Sequence, residues 1–127
     1  MRENINIVRP EDLKHLTREF EVLTFVSDTD LVYEDHVPLA GIVLLEGILE
    51  MVQDGEVHLI VKPPHILGVA NMLHEIPSNF GCRIKANSKV ILLGKSKILD
   101  ILRDKRSHLF RLLKRMVPNA ASRTTKI

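Results

Sequence analysis

The sequence predicts a mainly β domain, a sandwich or rolled barrel with one short helix before it and helices after it. Three observations carry that reading. Short runs rich in β-branched and aromatic residues recur at regular spacing between turn residues. Asp54-Gly55 stands between two apolar runs, and a type I′ hairpin turn needs positive φ at both of its central positions. After Gly94 the apolar residues change from a two-residue to a helical period.

Taken in order, RPEDLKHL places Pro10, Glu11 and Asp12 where a helix start favours proline and carboxylates, and predicts a short helix over about 10–16. FEVLTFV, LVYED, GIVLLEG, ILEMV and EVHLIV read as strands. ILGVANMLHEIPSNFG reads as a loop led by Gly68, and CRIKA and KVILL as closing strands. In KSKILDILRDKRSHLFRLLKRMV, Ser96 can cap a helix, and Ile98, Ile101, Leu102, Leu109, Leu112, Leu113, Met116 and Val117 follow a helical period over about 96–117. The apolar face is interrupted from Lys105 to His108, which predicts a short helix, a break and a longer helix, ended by Pro118. Residues 118–127 read as a flexible basic tail, so the domain is 1–117.

At 127 residues and 45% hydrophobic, the chain is long enough for one domain with a real core. Its single cysteine, Cys82, excludes an internal disulfide and a Cys cluster for zinc, and places the protein in a reducing, cytoplasmic compartment. No signal-peptide core and no long uncharged apolar run is present, so no membrane span is expected. Charge is uneven. From Ile101 onward eight Lys or Arg face one acid, a net of +7, which leaves −5 for the first hundred residues of a chain whose total is +2. Such a basic end suits nucleic acid, an anionic surface or an acidic partner, but a charged run is more often the wet face of a helix.

Five features in order then give a resemblance: Tyr33-Glu34, Ile42 to Gly47 (IVLLEG), Asp54-Gly55, Gly68 and Ala86 to Leu93 (ANSKVILL). Over about residues 10–117 the chain resembles the cyclic-nucleotide-binding domain family, the jelly-roll sensors of catabolite activator proteins, cyclic-nucleotide-gated channels and cyclic-nucleotide-dependent kinases. The resemblance implies a double-stranded β-helix (jelly roll), a non-enzymatic regulatory role, and a cassette after the hairpin that binds the cyclic phosphate and ribose. In that family a glutamate follows the cassette glycine to take the ribose hydroxyl, an arginine neutralises the phosphate, and a Ser or Thr follows the arginine. Matched to this chain, those positions are Val69, Phe80 and Gly81.

The candidate pocket of Gly68, Val69, Ala70, Asn71, Phe80, Gly81 and Cys82 is therefore expected to be vestigial. Arg83 comes three residues after the arginine position, which puts it on the opposite face of an alternating strand. Asn71, Ser78 and Asn79 offer hydrogen bonds but no charge. A buried phosphate without its charge partner loses about 2–5 kcal/mol, roughly 30-fold to several thousand-fold in affinity. No cofactor is expected; the alternative is cAMP, cGMP or a cyclic dinucleotide held in an atypical pose.

The other chemistry the histidines suggest is a cupin metal site, but Pro38 and Ala40 occupy its second His and acid positions after His36. His15, His58, His65, His74 and His108 have no metal-ligand spacing, no nucleophile elbow or P-loop is present, and Cys82 opens a core strand. An enzyme is not expected. The expected function is a stand-alone regulatory or scaffolding domain acting through protein contacts; the apolar face of the C-terminal helix at Leu109, Leu112, Leu113 and Met116 either makes a homodimer or partner surface or covers the open side of the roll. A further alternative is nucleic-acid or anionic-surface binding by Arg111, Lys114 and Arg115, ranked low because Phe110 is the only aromatic there to stack on a base.

Overall fold

The computed structural model describes residues 5–116. In chain order the elements are β1 (Ile5–Ile7), α1 (Pro10–Glu19), β2 (Leu23–Phe25), β3 (Thr29–Val32), β4 (Gly41–Glu46), β5 (Leu49–Gln53), β6 (Glu56–Val61), β7 (His65–Leu67), α2 (Val69–Leu73), β8 (Gly81–Ile84), β9 (Ser88–Leu93), α3 (Lys95–Leu102) and α4 (Phe110–Met116). The strands form a five-stranded sheet in the order β1-β7-β4-β9-β2 and a four-stranded sheet in the order β3-β8-β5-β6. The pairings are antiparallel. This is the mainly β, two-sheet roll with flanking helices that the sequence predicts.

Alternation along β4 explains why its run GIVLL is apolar without a break. Ile42 and Leu44 turn towards the second sheet, where they meet Leu49, Met51, Cys82 and Ile84. Val43 turns the other way, into a second core with Ile66, Ile91 and Leu93 that the helices cover. The five-stranded sheet is thus buried on both faces, and the four-stranded sheet on one.

Several local signals act where the sequence puts them. Asp54 and Gly55 have φ of 54° and 79° and join β5 to β6 as a two-residue turn. Pro10 lies in the first turn of α1, with Glu11 and Asp12 beside it. Others differ. Helix α1 continues to Glu19, and of FEVLTFV only Leu23–Phe25 is strand, because Phe20 already closes α1. Two short strands, β1 and β7, pair with each other and carry too few residues to show a period. Helix α3 starts at Lys95 with Gly94 as its cap, so Ser96 is a residue of the first turn and not the cap.

The interruption expected at Lys105 to His108 lies within the segment that separates α3 from α4. Here the side chain of Asp104 accepts from the Arg106 amide at 3.0 Å, and Ser107 Oγ accepts from the Leu109 amide at 3.2 Å. These local bonds compete with helix continuation. The His108 ring stacks on His15 of α1, with centroids 4.2 Å apart and planes 3° from parallel.

This packing corrects one expectation. Leu109, Leu112, Leu113 and Met116 do not form an open interaction surface: they are 0%, 1%, 0% and 4% exposed, inside the core between the five-stranded sheet and the helices. The outer face of that sheet needs a cover, and α3 and α4 provide it. Val117, the Pro118 stop and the tail at 118–127 lie outside the described residues. Among the described residues no helix is long and apolar enough to cross a membrane.

Candidate functional site

The site to consider is the hollow between β7, α2 and the second sheet. Gly68 turns the chain out of β7 with φ of 81° and caps α2, and its carbonyl accepts from the Met72 amide at 3.1 Å. The first turn of any helix leaves its amides without intrahelical acceptors, so those of Val69, Ala70 and Asn71 are the candidate backbone donors next to the hollow. The hollow is lined by Ile5, Val32, Pro38, Ile42, Met51 and Leu67, with Gly68, Asn71, Ser78 and Cys82 from the cassette. Its void is about 320 Å³ including the open mouth, yet so narrow that the centre of a water molecule has only about 10 Å³ to occupy. That is room for about one water, where small-molecule pockets run to about 300–1,000 Å³.

Of the seven sequence-predicted residues, Gly68, Asn71 and Cys82 line this void, and Val69, Ala70, Phe80 and Gly81 do not. Val69 is 1% exposed and belongs to the core under the helices, beside Val43 and Ile66. Its direction is set by Gly41, where a methyl group would stand 2.6 Å from Val69 Cγ2. Phe80 flanks the core between the sheets and meets the His58 ring edge-on at 5.8 Å. At Gly81 a Cβ would approach the Val32 carbonyl to 3.2 Å, so a hydroxyl-bearing side chain there requires the neighbouring strand to give way.

The polar residues that do reach the hollow are engaged in holding the loop together. Asn71 Nδ2 donates to the Ile76 carbonyl at 3.1 Å, with the Pro77 carbonyl at 3.4 Å. Ser78, 7% exposed, donates from Oγ to the Phe80 carbonyl at 2.8 Å and accepts from the Phe80 amide at 3.2 Å. From sequence Ser78 is only a hydrogen-bonding neighbour; its position two residues before Phe80 is the spacing of a local serine turn. Ser78→Ala leaves the Phe80 amide and carbonyl without this partner, and is expected to destabilise the domain by about 1–2 kcal/mol in urea unfolding. A loss no larger than that of an exposed serine would contradict the assignment.

Among the described residues no cationic side chain lines the void. Arg83 projects from β8 to the outer face, where Nε donates to Asp30 at 3.1 Å and Nη1 lies 3.8 Å from Glu50. On the same face Lys85 Nζ donates to Asp28 at 2.8 Å, and the other Asp28 oxygen accepts from the Ala86 amide at 2.8 Å. The bond from Lys85, then that from Ala86, holds the Asp28 carboxyl below its ordinary 3.8, and the Asp28 bond raises the Lys85 ammonium above 10.5. The Asp28 contribution to stability is therefore complete above pH 3.8 and lost as pH falls through the lower folded value. That of Lys85 is complete below pH 10.5 and lost as pH rises through the raised value. Followed by NMR, the Asp28 carboxylate is expected to titrate below 3.8 and to move back towards it in Lys85→Met. An unmoved titration would contradict the pairing.

Arg111, Lys114 and Arg115 are exposed on α4. Arg115 Nη2 lies 3.7 Å from Asp12 of α1, so part of this basic patch ties the two helices together. Among the described residues no three His, Cys, Asp or Glu converge as a metal site would require.

No protein-family model matches the chain, and no curated protein matches it. Solved structures do. A protein from a cyclic-GMP-dependent signalling pathway that regulates bacterial phytopathogenesis superposes with a TM-score of 0.70, at 15% identity, over 94% of this chain and 96% of its own. The catabolite activator protein of Thermus thermophilus superposes at 0.66 and 13% identity, over 94% of this chain and 56% of its own. A cyclic nucleotide-binding-like protein from Brucella abortus superposes at 0.61 and 22% identity, over 76% and 86%. At these identities the likeness shows the fold, which is the jelly roll of the cyclic-nucleotide-binding domains.

Proposed function

We propose that this chain, built on the cyclic-nucleotide-binding fold, is a non-enzymatic regulatory or scaffolding domain that acts through protein contacts and does not hold cyclic mononucleotides in the usual pose. The observation that carries the reading is the hollow itself: narrow, mostly apolar, and without a cation on its wall among the described residues. A phosphate monoanion placed there meets none of their charges to offset its lost hydration. Nor can nearby side chains supply one cheaply. Arg83 points away and is already paired with Asp30 and Glu50, while the side chains of Asn71 and Ser78 are committed to the cassette's own backbone. The fold's similarity to regulatory proteins supports the regulatory part, and the single cysteine supports a cytoplasmic setting.

The second reading is a true sensor for cAMP, cGMP or a cyclic dinucleotide in an atypical pose. The first turn of α2 favours it, because the amides of a first helical turn lack intrahelical acceptors and suit an anion. Amide chemical shifts separate the two. On titration with each nucleotide at low micromolar concentration, the signals of Gly68, Val69, Ala70 and Asn71 are expected to stay in place. Saturable movement of those four signals at micromolar ligand would establish the sensor and reject the proposal.

A further inference from the structure

We propose that the outer edge of β6 pairs, antiparallel, with β6 of a second copy of this chain. The inference rests on the reading that the domain acts through protein contacts, and not on the state of the nucleotide hollow. Strand β6 ends the four-stranded sheet, and its outer edge has no strand partner among the described residues. An edge strand presents unpaired N–H and C=O groups, a template for another strand. On β6 that edge accompanies large apolar side chains left in water: Val57 is 46%, Leu59 46% and Ile60 52% exposed.

Charge selects the occupant and the direction. Glu56 and Lys62 bracket the apolar run, and neither has an ion-pair partner among the described residues. Antiparallel pairing of two copies sets Glu56 of each near Lys62 of the other, at both ends of the joined strands. A parallel pairing sets like charges together. The opposite edge of the same sheet behaves differently. It is β3, where Asp30 and the preceding Asp28 are already paired with Arg83 and Lys85, so this edge offers no unpaired charge to select a second copy. The ladder at β6 is short. The β5–β6 register shifts between Met51 and Val52, which leaves His58 without a β5 partner, so joined strands centred on Leu59, the register that sets Glu56 opposite Lys62, carry an irregular step beside their centre. A weak, concentration-dependent dimer is what such an edge supports.

Sedimentation equilibrium of the full chain, from micromolar to millimolar, tests the proposal together with charge exchange. The wild type is expected to associate to a dimer. E56K and K62E each turn two attractions into two repulsions, and each is expected to weaken the dimer about tenfold. The double exchange E56K/K62E restores both pairs and is expected to recover the wild-type constant. These side chains are exposed, and circular dichroism of each variant checks that the fold is kept. A wild type that stays monomeric at millimolar concentration overturns the proposal. So does a dimer that both single variants leave unchanged, since its interface then lies elsewhere. Nucleotide titration of the same samples reads the other claim separately: binding there would reject the proposed function and leave the β6 dimer standing.

Discussion

Gly47→Ala is expected to destabilise the domain by about 3–5 kcal/mol, a large share of what a domain of this size has to lose. Gly47 ends the LLEG run with φ of 94°, a conformation that an L side chain rarely adopts. A methyl group there would also meet Ser88, at 2.6 Å from its Cβ and 2.7 Å from its Cα. The second neighbour is backbone, so no rotamer change relieves the overlap. Ser88 cannot retreat either, for it is 0% exposed and its hydroxyl accepts from the Ile48 amide at 3.1 Å. Gly55 is the control. Its φ is 79°, but a Cβ would meet nothing within 4 Å, so Gly55→Ala carries backbone strain alone, about 1 kcal/mol. Urea unfolding midpoints at constant slope compare the two directly. Equal losses would mean that the contact with Ser88 is not the cause.

Leu113→Ala is expected to lose about 2–5 kcal/mol, the range for emptying a buried leucine site. Leu113 is 0% exposed in the core beneath the helices. The measurement also distinguishes two roles for α4. A core residue loses stability equally at all protein concentrations, and its truncation leaves the association constant alone. A residue at a subunit contact would give a loss that depends on concentration. The first pattern is expected, and the second would restore α4 as an interface.

These two residues also mark what was legible in the sequence. Gly47, the Asp54-Gly55 turn and the unbroken run of β4 are local signals, each tied to a backbone angle or an alternation that the chain carries by itself. Leu109, Leu112, Leu113 and Met116 are different. An apolar helix stripe has the same spacing whether its own sheet or a partner covers it, and only the position of the five-stranded sheet decides. At the site, the absence of an acid after Gly68 and of an arginine at Phe80 is plain from sequence. Which way those side chains point is not. Helix α2 has five residues, too few for a period, so the burial of Val69 against Gly41 follows from tertiary packing alone. The part played by Ser78 is hidden for the same reason: a serine turn has a signature, but its closure over Phe80 depends on the loop that surrounds it.

The central claim is that the cradle of this fold is present here without a grip on phosphate. Isothermal titration calorimetry with cAMP and cGMP tests it most directly. Without the arginine's charge, the loss of about 2–5 kcal/mol takes a micromolar ligand towards millimolar, and no saturable heat is expected at micromolar nucleotide. A dissociation constant in the low micromolar range for either nucleotide would contradict the account.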